Sequence, residues 1–178
     1  MNTYLKQGLI TLFAFSSLIN PAYGESTSRG AVSMHAESLD DGGATSLRVY
    51  TEGDRIAYMG FSLNNIYTSS TPIQRNGRTS INPVYLFAGL RAPWKIAPFV
   101  EGGLDFGEKL INDLFQSPGS IDDDMDYYFS GGIKLDISDN MALSIYKKGY
   151  TFIFREDQFS PATTASQSGY GIELSMLF

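Results

Sequence analysis

The sequence predicts an all-β fold, a closed up-and-down barrel of eight antiparallel strands that crosses a membrane. Three observations carry this expectation. Segments that alternate apolar and polar residues recur along residues 25–178. The links between them alternate between short and long. In most segments charged residues keep to one face and apolar residues to the other. A period of two is the signature of a strand whose faces meet different surroundings.

Residues 1–24 read as a removable leader rather than as part of the barrel. MNTYLKQ carries one lysine and no acid, GLITLFAFSSLI is an apolar run, and NPAYG adds a turn with small residues at Ala22 and Gly24. This is the pattern of a secretory signal peptide cut after Gly24. The apolar run is shorter than the roughly 20 residues a spanning helix needs. Residues 25–178 form the expected barrel domain. They hold 12 basic and 19 acidic residues, a net charge of −7, once the single lysine of the leader is set aside. Such a balance gives no broad basic surface for nucleic acid. The chain has no cysteine, so disulfides and thiolate zinc sites are excluded.

Eight segments read as strands, at residues 29–38, 44–51, 56–67, 80–91, 96–106, 127–137, 141–154 and 169–178. Most approach the 9–11 residues that a tilted strand uses to cross the hydrocarbon layer. EGDR, APWK and SDN are the short links. LDDGG, TSSTPIQRNGRT, GEKLINDLFQSPGSIDDDMD and REDQFSPATTASQS are longer or richer in turn residues. Short turns on the periplasmic rim and long loops outside are the arrangement of an outer-membrane barrel.

The faces follow from cost. In the fifth segment Pro98, Val100, Gly102, Leu104 and Phe106 alternate with Ala97, Phe99, Glu101, Gly103 and Asp105. In the sixth, Tyr127, Phe129, Ile133 and Leu135 alternate with Tyr128, Ser130, Lys134 and Asp136. A cation facing lipid at mid-bilayer costs about 2–4 kcal/mol. The charged face therefore points inward. An eight-stranded interior is just wide enough for side chains to fill. Arg48, His35, Glu101, Asp105, Lys134, Asp136 and Glu173 are expected there as a polar network. Strand adjacency pairs Lys134 with Glu101, and Glu173 with His35 and one of Lys147 or Lys148. The alternation of the seventh segment changes phase near Lys147-Lys148-Gly149, which suggests a bulge at Gly149.

The last segment, YGIELSMLF, places Tyr170, Ile172, Leu174, Met176 and Phe178 on one face. It resembles the C-terminal signature of Gram-negative outer-membrane β-barrels. With the leader, the eight strands and the loop alternation, residues 25–178 resemble the small eight-stranded members. These include the outer membrane protein A transmembrane domain, the Ail/X-type adhesion and resistance proteins and the opacity-type proteins. The resemblance implies that Tyr170, Ile172, Leu174, Met176 and Phe178 form the signal read by the barrel-assembly machinery. It also implies a monomer whose partners are outer-membrane lipid and lipopolysaccharide, and a role set by its loops.

Several candidate sites favour structure over chemistry. Ser33, His35 and Glu37 share a face, as a hydrolase set would. That face points inward, away from lipid, and same-face neighbours lie about 7 Å apart along a strand. The order Ser33-Met34-His35 also reverses the His-x-Ser order of the lipid A deacylases. No catalytic, cofactor or metal site is expected. Asp122, Asp123, Asp124 and Asp126 read as a solvated charge run. Leu110, Ile111, Leu114 and Phe115 have helical spacing, suited to a short turn packed on the rim. Trp94 at a short turn, with Tyr127, Tyr128, Phe152 and Phe154 toward the outer rim, is expected in the aromatic girdles. The leading expectation is a filled, non-enzymatic barrel serving envelope structure or surface interaction. A narrow channel is the alternative, and a lipid-modifying enzyme the second.

Overall fold

A computed structural model describes residues 28–53, 56–68, 80–107, 126–154 and 163–178. The leader, Asp122–Asp124 and the Leu110 to Phe115 segment lie outside them.

The strands are β1 (Arg29–Leu39), β2 (Gly42–Gly53), β3 (Ala57–Thr68), β4 (Ser80–Ile81), β5 (Val84–Arg91), β6 (Ile96–Asp105), β7 (Tyr127–Ser138), β8 (Met141–Phe154) and β9 (Thr163–Leu177). β4 and β5 are two pieces of one barrel strand. Ile81 pairs with Ile66 and Val84 with Leu63, so the register on β3 is unbroken. Pro83 interrupts the ladder because it has no N–H to donate. Its carbonyl still accepts the Asn64 N–H at 3.1 Å. The barrel therefore has eight strands, each antiparallel to its neighbours.

β1 closes the ring on β9, with Ala31 opposite Leu177 and Leu39 opposite Gly169. Phe178 extends this seam by exchanging hydrogen bonds with Gly30 at 2.9 and 3.0 Å. Closure pairs the backbone within the ring, which a bilayer interior requires.

The connections depart from expectation at one place. LDDGG is not a loop. β1 and β2 join through Asp40 and Asp41 alone, with Leu39 opposite Gly42. Gly42 has φ of 153°, and a side chain there would meet the Tyr67 carbonyl 2.0 Å away. Glycine meets both demands of this tight turn. On the periplasmic rim, Ile56 donates to the Gly53 carbonyl at 3.1 Å where β2 passes to β3, and turns at residues 92–95 and 139–140 join β5 to β6 and β7 to β8.

The bulge expected at Gly149 is absent. Ser144, Tyr146, Lys148, Tyr150 and Phe152 all face inward in one phase, and the β8 register runs unbroken on β9. The irregularity lies instead between Asp136 and Ser138 on β7, beside a periplasmic turn. Phe152 and Tyr150 mimic a lipid-facing phase because both are aromatic, yet they belong to the lumen.

Outside, Met34, Val100, Ile133, Ile145, Ile172 and Met176 stand exposed in a continuous apolar belt. Trp94 is exposed at its turn and Tyr127 faces outward. Tyr128 and Phe152 are not girdle residues. They are 1% and 0% exposed, inside the barrel.

Candidate functional site

The lumen holds three tiers of paired charge under an aromatic layer. The tier nearest the periplasm joins opposite walls. Arg91 of β5 forms an ion pair with Glu52 of β2 and another with Asp136 of β7 at 3.0 Å. Lys134 lies 3.7 Å from the second Glu52 oxygen and donates to the Tyr50 hydroxyl at 3.2 Å. A hollow of about 430 Å³ opens at this mouth, lined by Arg29, Glu52, Arg91 and Asp136.

The middle tier centres on Arg48. Its guanidinium pairs with Glu101, lies 3.8 Å from Glu173, and sits 3.6 Å above the Phe87 ring. His35 Nε2 is 3.3 Å from Glu173 and 3.2 Å from Arg48 Nη1. The Tyr128 hydroxyl donates to Glu101 at 2.6 Å, and Ser175 donates to Glu173 at 3.0 Å. A charge taken out of water needs such partners on every side.

Glu37 organises the outer tier. It accepts from Tyr146 at 2.8 Å, from Tyr150 at 2.5 Å and from Lys148 at 3.3 Å. The Lys148 ammonium also lies 3.9 Å over the Tyr128 ring. His35 Nδ1 sits 2.6 Å from the Tyr146 hydroxyl and so links this tier to the one below. Tyr85, Tyr128, Tyr150 and Phe152 fill the section around it, with Tyr85 and Tyr128 edge to face at 4.9 Å. Nearer the outer rim Gln167 donates to Thr68.

Arg48, His35, Glu101, Lys134 and Glu173 are thus buried in the lumen, each with partners. Asp105 is placed differently. It lies at the outer end of β6, where it accepts the N–H groups of Val84 at 3.1 Å and Gly107 at 2.8 Å. It fastens strand ends and stands apart from the ion pairs described for the three tiers.

Two expected pairings do not form. Glu101 is level with Ser130, so Lys134 lies four residues, about 13 Å, nearer the periplasm. Lys134 turns to Glu52 across the lumen. Glu173 is level with Ser144, whereas Lys148 is level with Gly169, so Lys148 meets Glu37 instead. Lys147 points outward.

The Ser33, His35 and Glu37 set also differs from its expected spacing. The Ser33 hydroxyl comes within 3.4 Å of His35 Nε2, because the side chains lean together. The acid beside His35 is Glu173, and it shares that same nitrogen. Glu37 bonds to Tyr146, Tyr150 and Lys148. A hydrolase relay needs nucleophile and acid on opposite ring nitrogens. This cluster is also sealed from lipid by the barrel wall.

Sequence reasoning overlooked Glu52, Arg91 and the Glu37–Lys148 pair as network members. Glu52 shares the phase of Arg48 and Tyr50, and Arg91 that of Tyr85 and Phe87. Extending the first alternation by one step, and the second by two through Gly89, identifies both.

No family model and no curated protein matches the chain. Solved structures do. The chain is similar to the N-terminal β-barrel domain of Pseudomonas aeruginosa OprF at 10% identity, covering 86% of this chain and 100% of that one with a TM-score of 0.54. It is similar to Neisserial surface protein A at 10% identity, covering 85% and 96% with a TM-score of 0.50. A structure from the de novo design of transmembrane β-barrels matches at 11% identity, covering 84% and 95% with a TM-score of 0.52. Together with the closed ring and the apolar belt, these likenesses give the chain the fold of an eight-stranded outer-membrane β-barrel.

Proposed function

We propose that this outer-membrane barrel is a non-enzymatic element of the envelope, with a lumen closed to solute and a role carried by its outer surface. The observation behind the reading is the stack of ion-paired tiers. Arg91 with Glu52, Arg48 with Glu101, and Lys148 with Glu37 bridge the section at successive heights. Aromatic rings of Tyr85, Tyr128, Tyr150 and Phe152 fill the space around the last. A solute or hydrated ion would have to break buried pairs to pass, at several kcal/mol each.

The same reading makes the barrel a monomer in contact with outer-membrane lipid. It also makes the β9 face of Tyr170, Ile172, Leu174, Met176 and Phe178 the segment engaged by the assembly machinery. The apolar alternation of β9 and the exposed Phe178 ring support that role. The deciding experiment is reconstitution of the folded full-length chain in a planar bilayer. A silent membrane is expected. A steady, reproducible conductance would overturn the closed-lumen reading in favour of a channel.

A further inference from the structure

Lys147 is the one charged side chain on an outward-facing strand position among the described residues. How deep it lies follows from the register. A row of paired residues that leaves Ala57 reaches Lys147 after four strands and Ser38 after six. After eight it returns to β3 at Tyr67, ten residues above its start. Each step round the wall therefore climbs 10/8 of a residue, and a residue is worth about 2.5 Å of height in strands tilted by about 40°. On this scale Lys147 stands about 12 Å above Ala57, midway up the wall. Thr45, one step short of Asn65, stands at about 17 Å and Ser38 at about 19 Å.

The opposite wall is different in kind. Leu104 lies two steps from Phe61, at about 16 Å. From Ile96 to Phe106 every outward position of β6 is apolar or glycine, over a height of about 25 Å. That fills the apolar band of a transmembrane barrel, itself about 25 Å tall. On β8 the apolar outward positions run only from Met141 to Ile145, about 10 Å, before Lys147 interrupts them. On β2 only Val49 and Leu47 lie between the outward Thr51 and Thr45, which are about 15 Å apart in height. At the periplasmic end Met141 and Ile96 are level to within about 2 Å. A barrel that leans would lower both edges of the band on one side, and would draw Asp139, just below Met141, into lipid. Here the outer edge is lowered while the periplasmic edge at Met141 is not.

We propose that the barrel holds the outer leaflet thin along β8, β9, β1 and β2, so that headgroups and water reach down the wall to Thr45 and to the Lys147 ammonium. A lysine facing hydrocarbon is costly at the midplane, and the cost falls steeply toward the headgroups. Lys147 can meet a lowered surface. Gly149, next outward on the same face, has open space beside it, so the lysine stem can run outward over it. The ammonium lies 5.7 Å from the ring centroid of Tyr170, a residue type that settles at headgroup level. A bilayer adapts to a short apolar stretch by thinning around it. The inference rests on the membrane placement of the barrel, and its test keeps the two apart.

The chain has no cysteine, so single cysteines can each carry a nitroxide. Thr45→Cys and Leu104→Cys place the label at one height on opposite walls, and Asp139→Cys places it at the periplasmic turn. The full-length variants are refolded into vesicles of palmitoyl-oleoyl phosphatidylcholine, and each is first shown to keep its boiling-dependent gel mobility. Access of a water-soluble nickel chelate to the label is then read by electron paramagnetic resonance. Access at Thr45 is expected to be several-fold above that at Leu104, with Asp139 wet. Equal, low access at Thr45 and Leu104 overturns the proposal, because a band of even thickness treats two residues at one height alike. A dry label at Asp139 shows a leaning barrel and overturns it as well. Chelate access at Leu104 as high as at Asp139 overturns the membrane placement itself, which separates that failure from a failure of the thinning alone.

Discussion

Phe178 lies across Gly30 on the outside of the closing seam. A side-chain carbon on Gly30 would fall 2.5 Å from the Phe178 ring, and the two residues exchange both backbone hydrogen bonds. The missing side chain on β1 is what lets the aromatic ring lie flat on the wall where the sheet becomes a ring.

Gly30→Val should therefore disturb closure more than its surface position suggests. Overpacking costs about 1–3 kcal/mol, and here it falls on the seam. The expected outcome is a lower midpoint in urea unfolding from lipid vesicles, with Phe178→Ala relieving part of the loss in the double variant. An unchanged midpoint for Gly30→Val would mean that the ring does not rest on Gly30.

The Glu37–Lys148 pair makes a sharper prediction. Both are nearly inaccessible to solvent, and Glu37 holds three donors. Glu37→Leu leaves the Lys148 ammonium buried without its carboxylate, and breaking one side of such a pair costs about 3–5 kcal/mol. Adding Lys148→Met should recover most of that stability, because an apolar replacement of the whole pair is often neutral. Equilibrium unfolding of the two variants, monitored by tyrosine and tryptophan fluorescence, checks the cycle. A double variant as unstable as the single would show that Tyr146 and Tyr150 depend on Glu37 itself.

Two glycines should respond in opposite ways to the same change. A side chain on Gly103 would meet the Tyr128 ring at 2.2 Å and push it off its bond to Glu101. Gly149 has open space around that position. Gly103→Ala should cost about 1–3 kcal/mol, and Gly149→Ala should stay within about 0.5 kcal/mol of wild type. Thermal midpoints of gel mobility compare them directly.

Arg48 ties Glu101, Glu173 and His35 into one cluster. Arg48→Ala removes that tie and the guanidinium above Phe87, while both carboxylates stay. Brief openings with cation preference are expected in planar bilayers, read from the reversal potential in a potassium chloride gradient. A silent Arg48→Ala barrel would show that the outer aromatic layer closes the lumen without help from the middle tier.

The sequence makes β6 and β7 legible almost residue by residue. Glu101, Lys134 and their neighbours alternate cleanly against Val100 and Ile133, and only one phase keeps charge out of lipid. Aromatic residues resist that logic. Tyr128, Tyr150 and Phe152 suit lipid and lumen equally by hydropathy; the hydroxyls and rings of Tyr128 and Tyr150 serve buried charges, and Phe152 stacks on Tyr150. Partners were the other blind spot. Adjacent strands suggest pairs such as Lys134 with Glu101, but inward side chains of a closed barrel meet near its axis. Glu52 therefore reaches Lys134 from another strand, and depth rather than adjacency decides. The Asp40–Asp41 turn was hidden in LDDGG because turn residues mark where a chain reverses and say little about how tightly.

Pairing inside the lumen also governs how the barrel answers an electric field. A potential of 100 mV acts on a single charge that crosses it with about 2.3 kcal/mol. Glu37 and Lys148 are pulled in contrary directions by the same field, as are Glu101 and Arg48. Each couple offers the voltage a dipole of a few ångströms and almost no net charge. A change in membrane potential therefore has little grip on these tiers.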